Sequence, residues 1–189
     1  MKRRLLVATL CGLAASGPAF AFDLAELTSL LARVPAGEAT FVEKRRVEML
    51  DRTIESSGRL SFKAPDTFVR ETLSPRRELL SVTGNTLSVT VLGRARTMQL
   101  DAVPEAAVVV EAIRGVLTGN RATLERVFTS AVGGEPSRWT LDLVPRDARL
   151  RGQVASIRIS GGGSLVREVQ ILLADGDRST MTIEPLAGR

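Results

Sequence analysis

The sequence predicts an α+β domain built on one antiparallel sheet. Three observations lead there. About ten short runs place apolar residues at alternate positions, turn residues rather than regular β-α-β crossovers join them, and helical spacing is confined to the start of the chain and to 104–132. Nearly every run is apolar on one parity only, so the sheet has a single dry face that must be covered by helices or by a ligand.

Residues 1–21 precede that domain and read as an export signal. Lys2, Arg3 and Arg4 lead into an apolar run from Leu5 to Ala15, and Ala19-Phe20-Ala21 supplies a cleavage site of small residues. Cleavage after Ala21 releases a single domain over 22–189 into the periplasm. No later run reaches the ~18 uncharged residues that a spanning helix needs.

Asp23 is placed to cap a first helix, in which Leu24, Leu27, Leu30, Leu31 and Val34 recur at helical spacing until Pro35. From Ala39 to Leu50 the pattern is extended, with Phe41, Val47 and Met49 on one parity. Leu60 and Phe62 alternate with Arg59, Ser61 and Lys63 up to Ala64-Pro65-Asp66. Residues 68–73 form the next strand, ended by Pro75. Gly84-Asn85 joins the strand of Leu80 and Val82 to that of Leu87, Val89 and Val91. Met98 and Leu100 continue the sheet after a turn near Gly93.

The period then changes. Val109, Val110, Ile113, Val116 and Leu117 make one helical stripe, Gly119-Asn120 breaks it, and Leu124, Val127 and Phe128 make another. Strands resume with Trp139, Leu141 and Leu143, then Ala155, Ile157 and Ile159, then Val169, Ile171 and Leu173, and last Met181 and Ile183. Gly161-Gly162-Gly163 and Asp175-Gly176-Asp177 read as hairpin turns.

Several chemistries lack their residues. The chain has no histidine and no tyrosine, which removes the usual general base, proton shuttle and commonest metal ligand. Its one cysteine, Cys11, lies inside the signal, so the remainder has no disulfide, thiolate nucleophile or cysteine-held metal. Neither Lys44 nor Lys63 follows a serine at the spacing of a Ser-x-x-Lys pair. Glu43, Glu48, Glu71, Asp142 and Asp175 show no spacing that singles out two for glycosidic chemistry, and they read as scattered surface acids. An enzyme is not expected, nor a cofactor or a metal. The formal charge of +5 includes the three signal cations, and the near absence of aromatics beside arginines argues against nucleic acid. Arg45, Arg46, Arg76 and Arg77 read as a solvated face.

The ordered motifs resemble the LolA-like outer-membrane lipoprotein carrier family. Phe41-Val42-Glu43-Lys44 is similar to its Phe-x-Gln/Glu-Lys strand opening, and Gly58-Arg59-Leu60 running to Pro65 is similar to its Gly-x-Leu-x-x-x-x-Pro element. Phe68, Pro75, Gly84 and Leu87 follow at family-like spacings. Trp139 to Pro145, Ile157-Arg158-Ile159 and the turn at Asp175 resemble the divergent LolA-related branch. The chain departs from the lipoprotein carriers in having Ala64 before Pro65 and Arg70 where an aromatic is usual.

The resemblance implies an incomplete antiparallel barrel with helices covering its open face. It implies a periplasmic, monomeric carrier of lipoprotein or other acylated cargo, served by an inner-membrane exporter and an outer-membrane receptor. The expected cavity wall is Phe41, Leu60, Phe62, Phe68, Leu80, Val82, Leu87, Val89, Met98, Trp139, Leu141, Ile157, Val169, Ile171 and Met181. Val109, Val110, Ile113, Val116 and Leu117 form the expected lid, and Lys63 and Arg70 a polar rim. The alternative on the same fold is an envelope sensor or interaction module that binds a protein partner, with Arg76-Arg77 as one docking edge, and transports no lipid.

Overall fold

The computed structural model describes residues 22–186, so the signal reading of 1–21 lies outside them. In chain order the elements are α1 (Leu24–Leu31), β1 (Ala36–Val47), β2 (Arg52–Lys63), β3 (Thr67–Ser74), β4 (Glu78–Thr83), β5 (Thr86–Val91) and β6 (Arg94–Gln99). Then come α2 (Pro104–Leu117), α3 (Arg121–Val127), β7 (Phe128–Glu135), β8 (Arg138–Pro145), α4 (Ala148–Arg151), β9 (Val154–Gly162), β10 (Leu165–Leu173) and β11 (Arg178–Pro185). All eleven strands join one antiparallel sheet in the order β6-β5-β4-β3-β2-β1-β11-β10-β9-β8-β7. The sheet curls without closing, because β6 and β7 are its two edges.

β7 and α4 depart from the sequence reading, and β1 ends at Val47, so that Met49 and Leu50 lie in a turn and not in the strand read over 39–50. The strand count is eleven rather than about ten, and the additional strand is β7. Phe128 and Val132, four residues apart, fit a helical stripe as well as a strand face, but the helix stops at Val127 and the backbone from Phe128 onward pairs with β8. The short α4 lies in a stretch with no apolar periodicity. Its start is set by Asp147, whose carboxylate accepts from the Arg149 amide at 2.7 Å.

The cap predicted at Asp23 forms, and Asn120 caps α3 in the same way. Asp23 accepts from the Glu26 amide at 2.9 Å and Asn120 from the Thr123 amide at 3.0 Å. Gly119, at the end of α2, has φ +63 and sits so close to α1 that a β-carbon would lie 2.4 Å from the Thr28 carbonyl oxygen. Only glycine satisfies both demands, and the α2–α3 connection is thereby seated against α1.

Gly58 has a similar role within the sheet. A β-carbon there would meet the Glu71 carbonyl oxygen at 1.9 Å and the Phe41 ring at 3.0 Å. The open space lets the Phe41 ring lie across β2. Gly58→Ala is therefore expected to lower the unfolding free energy by about 2–3 kcal/mol, a cost of overpacking against backbone that cannot rotate away. Chemical denaturation followed by circular dichroism would check it.

Candidate functional site

The dry face of the sheet is the concave one, and two separate cores occupy it. The larger contains fourteen buried side chains, drawn from α1, α2, α3 and β7–β10, with Trp139, Leu141, Leu143, Ile157 and Ile159 at its floor. Trp139 is fully buried, and its indole N–H donates to the Gly163 carbonyl at 2.9 Å. The smaller core has three buried residues, Val82, Leu87 and Leu100, against which Phe68, Leu80, Val89, Met98 and part of α2 pack. Helix α2 bridges the two. Val108, Ala112 and Val116 enter the larger core, whereas Ala106, Ala107 and Val110 touch the smaller.

Between the cores the concave face is a saddle formed by β11, β1, β2 and β3. Leu60, Phe62 and Met181 lie on it, each half-buried and packed against neither core. Phe62 stacks on Phe68 with ring centroids 5.1 Å apart. The saddle also holds a polar cluster. An Arg70 Nη donates to Glu43 Oε2 at 2.5 Å, the Ser179 hydroxyl donates to Glu43 Oε1 at 2.5 Å, and Ser56 lies 3.3 Å from both members of the pair. The Arg70 guanidinium stands 4.7 Å above the ring of Phe41, which is itself buried.

Burial works to raise the Glu43 carboxyl. The Arg70 charge and the hydrogen bonds from Ser179, Arg70 and Ser56 outweigh it and hold the group below the usual carboxylate range. The pair is thus a charged couple set into an otherwise apolar surface. Arg70 Nε has no hydrogen-bond partner among the described residues.

The expected wall residues divide three ways. Trp139, Leu141, Ile157, Val169 and Ile171 belong to the larger core, and Phe68, Leu80, Val82, Leu87, Val89 and Met98 to the smaller. Phe41, Leu60, Phe62 and Met181 remain on the saddle. Of the lid residues, Val109 and Val116 face the larger core and Val110 the smaller, while Ile113 and Leu117 are half-buried in neither. Lys63 is exposed at the end of β2, and Arg70 lies in mid-strand on the concave face.

Glu43 differs from its reading as a surface acid, since its side chain is only 14% exposed. The signal for this was parity. Glu43 is two residues from Phe41, and Arg70 two from Phe68, so each charge falls on the apolar face of its strand. Asp142 is on the opposite face, held bidentately by Arg158 at 2.6 and 3.1 Å, so the two acids cannot act on one substrate. Among the described residues no three histidine, cysteine, aspartate or glutamate side chains are grouped to hold a metal.

A concavity of about 470 Å³ opens at one end of the sheet, where Pro65, Asp66 and Gly84 face Arg114, Thr118 and Asn120 of α2 and the turn after it. Arg114 spans it, donating to the Gly84 carbonyl at 2.9 Å and to Glu111 at 2.5 Å. This clasp ties α2 to the β4–β5 turn. A second concavity, of about 400 Å³, lies over Asp142, Arg158, Gln170 and Arg178 on the outer face.

A family model described as "Outer membrane lipoprotein carrier protein LolA-like" matches residues 15–187. No curated protein matches the sequence. Among solved structures, a LolA superfamily protein from Nitrosomonas europaea is 9% identical with a TM-score of 0.49, over 88% of this chain and 92% of that one. A DUF1329 family protein from Desulfovibrio piger is also 9% identical with a TM-score of 0.49, over 89% and 92%. LprF from Mycobacterium bovis is 9% identical with a TM-score of 0.39, over 88% and 94%.

Proposed function

This chain belongs to the LolA-like outer membrane lipoprotein carrier protein family, and on that basis we propose that it carries acyl chains of a lipoprotein or other lipidated cargo across the periplasm. The observation that carries the proposal is the saddle, an apolar strip of Leu60, Phe62 and Met181 that neither core uses and that the Glu43–Arg70 pair interrupts between Leu60 and Met181. A sixteen-carbon chain loses on the order of 12 kcal/mol when it leaves an apolar site for water, so a diffusing ferry must cover it. Such a strip covers hydrocarbon without directional bonds, which suits reversible hand-off from an inner-membrane exporter to an outer-membrane receptor. Carriage needs no catalytic residue or cofactor, and the carrier acts as a monomer after export and cleavage behind Ala21.

Room for the cargo comes from the unequal cores. The larger core, of fourteen buried residues, joins α1, α2 and α3 to the β7–β10 half, whereas the smaller, of only three, joins α2 to the β4–β6 wing. The wing is the side that yields, and α2 acts as the lid, released when Arg114 lets go of Gly84. Glu43 and Arg70 then face the polar end of the cargo.

The test is titration with a fluorescent fatty acid. Uptake is expected, and Leu60→Asp and Phe62→Asp are each expected to weaken it by about tenfold or more, since a buried charge at the wall costs well over 1.4 kcal/mol. Because Leu60 belongs to neither core, thermal unfolding of Leu60→Asp should shift little, whereas Phe62→Asp also gives up the stack on Phe68. Unchanged affinity in both variants defeats the carrier reading. A protein that takes up no probe yet retains a membrane-protein partner in pull-downs is instead the envelope sensor or interaction module.

A further inference from the structure

We propose that this protein docks on an anionic lipid surface through the hairpin tips at one end of its sheet. Met49, Leu50 and Leu92 enter the headgroup layer, and the arginines between them meet the lipid charge.

In an antiparallel meander alternate connections emerge at the same end, so the β1–β2, β3–β4 and β5–β6 turns stand side by side. Two of these turns carry the three most exposed large apolar side chains among the described residues. Met49 is 93% exposed, Leu92 82% and Leu50 66%. Isolated apolar side chains on a surface are common, but three at the tips of two hairpins at the same end of the sheet form a set.

Leu92 is further marked by its backbone. It has φ 52 and precedes Gly93 at φ 77, a turn in which asparagine or glycine is the comfortable first residue. A leucine held in the left-handed region at a solvent-facing tip gains nothing from folding, and a role outside the fold explains it.

The charge on these three turns is predominantly positive. The stretches 45–52, 75–78 and 91–96 hold seven arginines against Glu48, Asp51 and Glu78. Arg46 is paired with both Glu48 and Asp51, and Arg45 with Asp177. Arg52, Arg76, Arg77, Arg94 and Arg96 are exposed and have no ion-pair partner among the described residues. Their guanidinium groups are free for phosphate oxygens.

The prong of Met49 and Leu50 is aimed rather than loose. The Asp177 carboxylate accepts from the Glu48 amide at 3.0 Å and from Arg45 at 3.0 Å, which fixes the base of the β1–β2 tip to the β10–β11 turn. The two apolar prongs stand four strand spacings apart along the sheet, roughly 19 Å, with Arg76-Arg77 between them. A protein interface needs a continuous apolar centre, and this surface has separated prongs with cations between. That pattern fits a bilayer, which receives each prong wherever it falls.

The test is flotation of the purified protein with vesicles of phosphatidylglycerol mixed with phosphatidylcholine, against phosphatidylcholine alone. Binding is expected to the mixed vesicles and to weaken as salt screens the arginines. The triple variant Met49→Ser, Leu50→Ser, Leu92→Asn is expected to lose about tenfold or more in affinity, with unchanged thermal unfolding and unchanged fatty-acid uptake. Arg76→Glu with Arg77→Glu is expected to abolish the preference for phosphatidylglycerol. Equal flotation of the triple variant, or equal binding to neutral vesicles, overturns the proposal. So does a parent protein that ignores both vesicles but captures a protein partner through these tips. Fatty-acid uptake is read separately, so failure here and failure of the carrier reading are distinguishable.

Discussion

Arg70→Ala is expected to lower the unfolding free energy by about 3 kcal/mol at neutral pH and to reverse the acid response that Glu43 contributes. Removing one member of a buried ion pair leaves the other charge uncompensated, which costs about 3–5 kcal/mol, and the partial exposure of Arg70 puts this case at the lower end. In the intact protein Glu43 ionises more readily folded than unfolded. Its stabilisation is therefore complete above its ordinary value of 4.5 and is lost as pH falls through the lower folded value. Without the guanidinium, burial is opposed only by the hydroxyls of Ser179 and Ser56. The folded value then rises, and the same group costs stability as pH climbs. Denaturant unfolding of Arg70→Ala, Glu43→Gln and the double variant, at about pH 4 and about pH 7, measures this. The loss in Arg70→Ala should be larger at the higher pH, and the double variant should recover part of it. A loss independent of pH would show that Arg70 acts through its packing on Phe41 alone.

Trp139→Ala is expected to remove about 3–5 kcal/mol, because the fully buried indole floors the larger core and its cavity cannot collapse. For a domain of this size that is a fall in Tm of roughly 10 °C. Trp139→Phe separates the contributions. It keeps most of the volume but leaves the Gly163 carbonyl unpaired, a loss of about 1 kcal/mol. Circular dichroism must follow both, since Trp139 is the sole tryptophan. Fatty-acid affinity per folded molecule should stay constant, because the indole lies in the larger core and the saddle lies outside it.

The alternation of Leu60 with Arg59 and Ser61, or of Ile157 with Arg158, gave both the strand and its buried side, because a period of two has one geometric meaning. The hairpins at Gly84-Asn85 and Asp175-Gly176 were legible for the same local reason. β7 was not, since Phe128 and Val132 satisfy two periods at once and only pairing with β8 decides between them. The division of the wall was also invisible. Trp139, Leu60 and Leu80 each lie on the apolar side of their own strand, and which of them meets a helix depends on where α2 crosses the sheet. The Glu43–Arg70 couple spans 27 positions, and only the register of β1, β2 and β3 brings it together.

The first and last strands lie next to each other in the middle of the sheet, where Phe41 faces Ile183. A chain emerging from its N-terminus can assemble β1 through β6 as successive hairpins, and later β7 through β10. Within the sheet the two halves stay unpaired until residues 178–185 arrive. The last strand is therefore the keystone of an arch, and its late, long-range insertion is a slow step in the order of assembly.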